Sequence, residues 1–240
     1  MMGGYMEYDK FESYSSYGED AILNGVMKRL SWLMQKDLFT PNTYIDIGSF
    51  HPVKDSNTYF LYKNGWYGTL VDPNSYFNAL VHEIRPLDIL YNCAVDIEEG
   101  TKEFFMFGNM DSSNTLSPEF AERKKNSQHT GVSWTAQVPT KTINEIISIH
   151  LDYFHRTPFF MNIDIEGLDH EVIKTYTHDV RIPFVMIEDD SMDMFNGSPI
   201  RKTMVEKEYY PIATSFLTTL YIDVNSKYYS YTKKIGMFEE

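Results

Sequence analysis

Apolar residues recur at helical spacing between Asp20 and Leu38, at Ile22, Leu23, Val26, Met27, Leu30, Leu33 and Met34, which predicts one amphipathic helix. Beyond it the period shortens. YIDIGS reads as a strand beginning at Tyr44, DSNTYFLYKNGW as a helix capped by Asp55 or Ser56 and ended by Gly65, and YGTLVDPN as a strand stopped at Pro73. Ser75 to Ile84 predicts another helix, LDILYNCAV a third strand, and TKEFFMFGN an added strand after the turn signal at Glu98 to Gly100. AQVPTKT resumes the scaffold, followed by a helix over Ile143 to His150, the strand FFMNIDIEG, a helix over His170 to Tyr176 and the strand IPFVMIEDD. In YYPIATSFLTTLYID two extended segments flank a turn near Thr214 to Phe216, an antiparallel edge hairpin.

Alternating helices and strands imply parallel strands joined by right-handed helical crossovers, with the sheet buried on both faces. The expected fold is therefore α/β, a Rossmann-like sandwich whose mostly parallel central sheet carries an antiparallel C-terminal edge hairpin. A length of 240 residues fits one domain over 1–240, with residues 1–40 as a helical lead-in. Asp111 to Trp134 is the longest polar interruption, so residues 111–134 are the candidate lid loop.

Composition narrows the function by exclusion. A net charge of −13 argues against a nucleic-acid partner, which needs clustered cations; the short basic run Arg123 to Lys125 reads as a solvated loop or helix end. Cys93 is the single cysteine, so no disulfide can form within the chain and a cysteine-based zinc site is implausible. Its neighbours Ile89, Leu90, Ala94 and Val95 mark it as a core residue. The N-terminal residues lack the pattern of a secretory signal, and no apolar run approaches the ~18 residues of a membrane span. The expectation is a cytoplasmic protein without membrane insertion.

In an open parallel sheet, ligands bind at the carboxyl ends of the strands. Those ends carry Asp46, Gly48 and Ser49; Asp72, Pro73 and Asn74; Ala94, Val95 and Asp96; Asp164, Glu166 and Gly167; and Glu188, Asp189 and Asp190. All five end in acid. Asp72 follows Asp46 by 26 residues, the span of a crossover helix, and an acid there can accept both hydroxyls of a ribose. The adenosine-bearing ligand this implies is either a dinucleotide or S-adenosylmethionine. SFHPVKDSN lacks the repeated glycines that let backbone approach a pyrophosphate. A turn with one close-approach glycine, Gly48, among acids suits a phosphate-free, cationic cofactor better.

These residues resemble the FkbM family of S-adenosylmethionine-dependent methyltransferases. The matching stretches are SYGEDAIL, YIDIGSFHPVKDSNTYFLYKNGWYGTLVDPN, NCAVD, MNIDIEGLDHEVI and VMIED, running in the family's order from about Ser15 to Asp189. The resemblance implies a class I methyltransferase fold. It also implies a first cofactor loop of Asp46, Gly48 and Ser49, continued by Ser56 and Asn57, with Asp72, Pro73 and Asn74 at the ribose. Ala94, Val95 and Asp96 would lie beside the adenine, Gly18, Glu19 and Asp20 would fold over the methionine end, and Asp164 and Glu166 would adjoin the methyl. The family more often carries Glu than Asp at position 72, and either carboxylate can accept ribose hydroxyls.

The family's acceptors are hydroxyls of sugars and natural-product scaffolds, so the expected reaction is O-methylation of a saccharide hydroxyl in glycan biosynthesis. A small natural-product acceptor, a nucleotide-cofactor oxidoreductase and a binding module without turnover are the alternatives. Transfer to oxygen needs a collinear acceptor and a base; Asp164, His51 and His170 are the candidates, in that order. Asp164 with Glu188 or Asp189 forms a candidate site for a divalent cation, Mg2+ or Mn2+. Trp134 is a candidate stacking surface for a sugar, and Ser112, Ser113 and Thr115 are candidate contacts for its hydroxyls.

Overall fold

The structure, a computed structural model, describes residues 10–128, 131–189 and 197–233. The strands are β1 (Thr43–Ile47), β2 (Tyr67–Val71), β3 (Ile89–Tyr91), β4 (Ala94–Asp96), β5 (Gly100–Met106), β6 (Trp134–Thr142), β7 (Phe160–Ile163), β8 (Phe184–Glu188), β9 (Tyr209–Ser215) and β10 (Thr218–Asp223). The helices are α1 (Glu19–Met34), α2 (Tyr59–Lys63), α3 (Asn78–Ile84), α4 (Pro118–Gln128), α5 (Ile143–Phe154), α6 (Asp169–Lys174), α7 (Pro199–Glu206) and α8 (Tyr229–Lys233).

Seven strands form the central sheet in the order β3-β2-β1-β7-β8-β10-β9. The first five run parallel, while β10 is antiparallel to both β8 and β9. This is the expected Rossmann-like sandwich with its C-terminal hairpin. Side chains alternate across each strand, which divides the core in two. Ile45, Ile47 and Val71 pack against Ile143, Ile146 and Ile147 of α5, Val172 and Ile173 of α6 and Met204 of α7. Tyr44, Leu70, Phe160 and Phe184 pack against Leu23, Met27 and Leu30 of α1 and Phe60 and Leu61 of α2. The chain passes from the β2–β3 side of β1 to its β7–β8 side, so a crevice opens beyond the ends of β1 and β7.

Four expectations need correction. LDILYNCAV is not one strand: Cys93 N bonds Tyr91 O and Asn92 Nδ2 bonds Asp72 O, turning the chain out of the sheet. Ala94–Asp96 then pairs with β6 in a separate sheet of order β4-β6-β5. The helix after β1 starts at Tyr59 rather than beside Asp55, which has a left-handed φ of 56°, although Ser56 Oγ still receives Tyr59 N at 3.2 Å. The long N-terminal helix stops at Met34, before Leu38, because Gln35 turns left-handed. Finally, residues 111–134 are not a loop throughout. Thr115 pairs with Phe105, and Ser117 Oγ accepts Phe120 N at 3.1 Å ahead of Pro118, starting α4. Asp190 lies outside the described residues, among which no helix is long and apolar enough to cross a membrane.

Candidate functional site

Two connected cavities occupy the crevice. The narrower, about 530 Å3 and partly open to solvent, is an apolar slot walled by Ile47, Val71, Ala94, Val95, Phe104 and Leu116. Asp72, Pro73 and Asn74 form its rim. Asp72 is oriented by two backbone donors, Phe50 N on Oδ2 and Asn74 N on Oδ1, both at 2.8 Å. Each oxygen keeps a further lone pair for a ligand. Burial raises the Asp72 pKa to about 6, against the lowering effect of those two amides.

The wider cavity, about 1610 Å3 including open solvent, shares Gly48, Phe50, Ser112, Asp164 and Glu166 with the slot and adds Glu19, Asn57 and Glu188. Opposite these acids stands one face of α4, formed by Phe120, Arg123, Lys124 and Ser127 at helical spacing. Carboxylate oxygens of Asp164, Glu166 and Glu188 lie within 4.8 Å of one another. Burial raises all three pKa values, helped at Asp164 by the charges of Asp46 and Glu19 and at Glu166 and Glu188 by neighbouring acids including Asp164, while Glu188 donates a hydrogen bond that lowers Asp164. Asp164 is thus the member of the cluster that most readily holds the negative charge.

Backbone geometry fixes this cluster. Glu166 and Gly167 both have positive φ, 58° and 101°, and the turn is secured by Asp169, which accepts Ile165 N and Gly167 N at 3.1 and 3.2 Å. Thr115 Oγ1 donates to Glu166 O at 2.7 Å, linking the turn to the segment before α4. Thr115 is therefore fully buried scaffold, whereas Ser112 and Ser113 line the wider cavity.

The sequence profile of the methyltransferase FkbM domain matches residues 46–211, a span containing Gly48, Asp72, Asp164, Glu166 and Glu188. The chain belongs to the FkbM methyltransferase family. No curated protein matches it. It is similar to the solved structure of methyltransferase FkbM from Methylobacillus flagellatus KT, with 12% identity, a TM-score of 0.38, and coverage of 76% of this chain and 43% of that one. The chain thus spans less than half the length of that protein.

Several residues singled out in this FkbM-family chain lie elsewhere. Asp46 does not line the crevice: it shares a face of β1 with Tyr44, and its carboxylate accepts Thr58 Oγ1 and Asn162 Nδ2. Asn162 in turn accepts from Asn57 Nδ2 at 3.0 Å, so Asp46 reaches the cavity only through Asn57. Gly48 does line both cavities, and the space where its Cβ would stand is taken by the Asp164 carbonyl. Ser49 is buried away from both cavities, and Ser56 Oγ serves the start of α2 and Arg85 Nη1. Asp20 accepts from Ser13 Oγ, Tyr14 N and Ser15 Oγ, tying down the segment before α1. Gly18 supplies the left-handed turn, φ 81°, that brings Glu19 to the cavity. Asp96 pairs with Lys102 at 2.6 Å, outside the slot that Ala94 and Val95 line.

Neither histidine faces the acids. His51 Nδ1 accepts Val53 N and Lys54 N, each at 3.0 Å, so the neutral ring carries its proton on Nε2 and has no lone pair left for a base. His170 Nε2 meets Thr203 Oγ1 of α7 at 3.1 Å. Asp189, drawn away by Ser198 Oγ at the start of α7, is replaced in the acid cluster by Glu166. Trp134 lines neither cavity.

The expectation missed other residues. Arg123 and Lys124 are part of the wall, and Lys124 is only 7% exposed, bonded to Asp111 at 2.7 Å. Their helical spacing with Phe120 was the available signal. Arg85 is completely buried, pairing with Asp88 at 2.6 Å and donating to Tyr44 Oη and Thr58 Oγ1 at 2.8 and 2.9 Å. Its contact with Pro52 O ties the loop after β1 to the end of α3. The spacing of Arg85 and Asp88 resembles any exposed helical pair, so their burial was not legible.

Proposed function

We propose that this chain is an S-adenosylmethionine-dependent O-methyltransferase acting on a saccharide hydroxyl. One observation carries the reading: an apolar slot with Asp72 at its rim opens directly into a chamber of half-buried acids. Ile47, Val71, Ala94 and Val95 offer a flat apolar seat for adenine, and Asp72 has free lone pairs for ribose hydroxyls. Glu19 and Asp164 favour the positive charges at the methionine end. No repeated glycines are present to cradle a pyrophosphate.

Bound S-adenosylmethionine supplies an electrophilic methyl group next to a positive sulfur. Asp164 would take the proton of the acceptor hydroxyl as the new carbon–oxygen bond forms. Glu188, hydrogen-bonded to Asp164, keeps a second negative charge from accumulating beside it. Calorimetry tests the cofactor: tight S-adenosylhomocysteine binding without NAD binding is expected, and the reverse would defeat the proposal. Asp72→Ala is expected to weaken that binding by about 10–100-fold, the worth of hydrogen bonds to a charged group.

The convergence of Asp164, Glu166 and Glu188 supports a second reading, in which three carboxylate oxygens hold Mg2+ or Mn2+ and lower the acceptor's pKa. Loss of turnover in EDTA with recovery on adding Mg2+ would favour it; full turnover in EDTA would remove it.

A further inference from the structure

We propose that Tyr17 and Phe216 form an aromatic shelf that seats a sugar ring of the acceptor at the mouth of the acidic chamber. This rests on the reading that the acceptor is a saccharide. The two side chains are 60% and 66% exposed, and their ring centroids lie 5.0 Å apart at an interplanar angle of 41°. They come from distant parts of the chain, yet the contact is built into the fold. Ser215 Oγ donates to Tyr17 O at 2.6 Å, and Tyr17 N donates to Glu19 Oε2 at 2.8 Å. Tyr17 lines the wide cavity, as do Leu217 and Thr218, which follow Phe216 directly. The shelf therefore borders the same volume that Asp164 and Glu188 line.

Large aromatic surface left open beside a cleft marks a binding surface. A pyranose presents an apolar C–H face and a polar edge, so it needs a flat ring below and hydroxyl or charged groups around it. Ser16, Ser113 and Ser127 provide those groups in the same cavity. A lipid chain or apolar peptide would require a continuous apolar wall, which this cavity does not offer. Phe216 lies outside the family match at residues 46–211, while Tyr17 belongs to the SYGEDAIL stretch that resembles the family. Phe216 thus comes from a segment beyond the matched domain, where a determinant of acceptor choice can vary without disturbing cofactor binding.

The test uses the full chain, methyl-labelled S-adenosylmethionine, a panel of methyl hexopyranosides and disaccharides, and cyclohexanol as a hydroxyl compound that is not a sugar. For the best saccharide, Tyr17→Ala and Phe216→Ala should each raise KM about tenfold, from the lost ring contact. Neither should change kcat, nor the Kd for S-adenosylhomocysteine, by more than about twofold. Tyr17→Phe and Trp134→Ala should keep the normal KM. Unchanged KM in both alanine variants, or a loss confined to kcat, would overturn the shelf while leaving saccharide methylation standing. Transfer by the wild type to cyclohexanol but to no sugar would overturn the saccharide reading and the shelf together.

Discussion

A Cβ placed at Gly48 would fall 1.7 Å from the carbonyl oxygen of Asp164, and Gly48 also has a φ of 81°. The first strand and the acid cluster are thus held together by backbone contact at a position where only glycine fits. Gly48→Ala is expected to force β1 and β7 apart at their ends, costing roughly 2–4 kcal/mol by clash and left-handed strain. Chemical denaturation would measure that loss, and calorimetry the accompanying loss of S-adenosylhomocysteine binding. A variant with unaltered stability and affinity would refute the backbone account.

Asp164 should separate chemistry from binding. Asp164→Asn preserves the volume of the side chain but cannot accept the acceptor's proton, so methyl transfer should fall by at least about 100-fold. S-adenosylhomocysteine binding should stay within about tenfold, since Asp72 and the apolar slot remain. Transfer at the normal rate would show that another group is the base.

The acid cluster also makes a prediction about stability. Glu166 and Glu188 have pKa values raised by burial and by neighbouring carboxylates. Their stabilising contribution is complete below the ordinary carboxylate range and is lost as pH rises through the folded-state values. Glu188→Gln removes one of these titrations and keeps a donor for Asp164. Its melting temperature relative to the wild type should therefore increase from pH 5 to pH 8. A constant difference across that range would count against the coupled acid cluster.

His150 gives the opposite slope. Fully buried, its ring nitrogens meet Thr69 Oγ1 at 2.9 Å and Thr43 Oγ1 at 3.0 Å, and burial lowers its pKa from 6.5 to about 4. Between those values the unfolded chain binds the extra proton, so stability falls as pH falls, by up to about 3 kcal/mol. Below the folded value this contribution becomes flat. NMR titration should find the His150 ring protons changing near pH 4, and denaturation of His150→Gln should show a shallower loss between pH 6.5 and 4.

Removing Arg85 should be more damaging than removing any surface cation. Arg85→Met leaves Asp88 buried without its ion pair, an expected loss of about 3–5 kcal/mol. Combining it with Asp88→Asn should restore part of that stability. Denaturant midpoints of the two single variants and the double variant would measure the coupling; strict additivity would mean that the pair does not act as a unit.

Local period and turn chemistry were enough to place the strands of the central sheet, most of the helices that join them and the C-terminal hairpin, because each depends on a few neighbouring residues, but they did not foresee α4, α7 or α8. The same signals located Asp72 and Asp164 at strand ends, where loops begin. They did not locate the break at Asn92 and Cys93, which depends on a hydrogen bond to Asp72 O from a distant strand. Nor did they distinguish the two sides of a strand end. Asp46 sits one residue out of phase with Ile47, which lines the slot, and one step along a strand reverses the side chain, while Asp189 lies just past β8 and is held by Ser198.

The sequence alone therefore determined the sandwich, the missing pyrophosphate cradle and the family, since these are encoded in contiguous patterns and spacings. Only the tertiary structure decided which acids share a cavity, that α4 walls it with Arg123 and Lys124, and that Tyr17 meets Phe216. Those relationships join residues far apart in the chain. They follow from how helices and strands pack and from where each backbone turns, which no local pattern records.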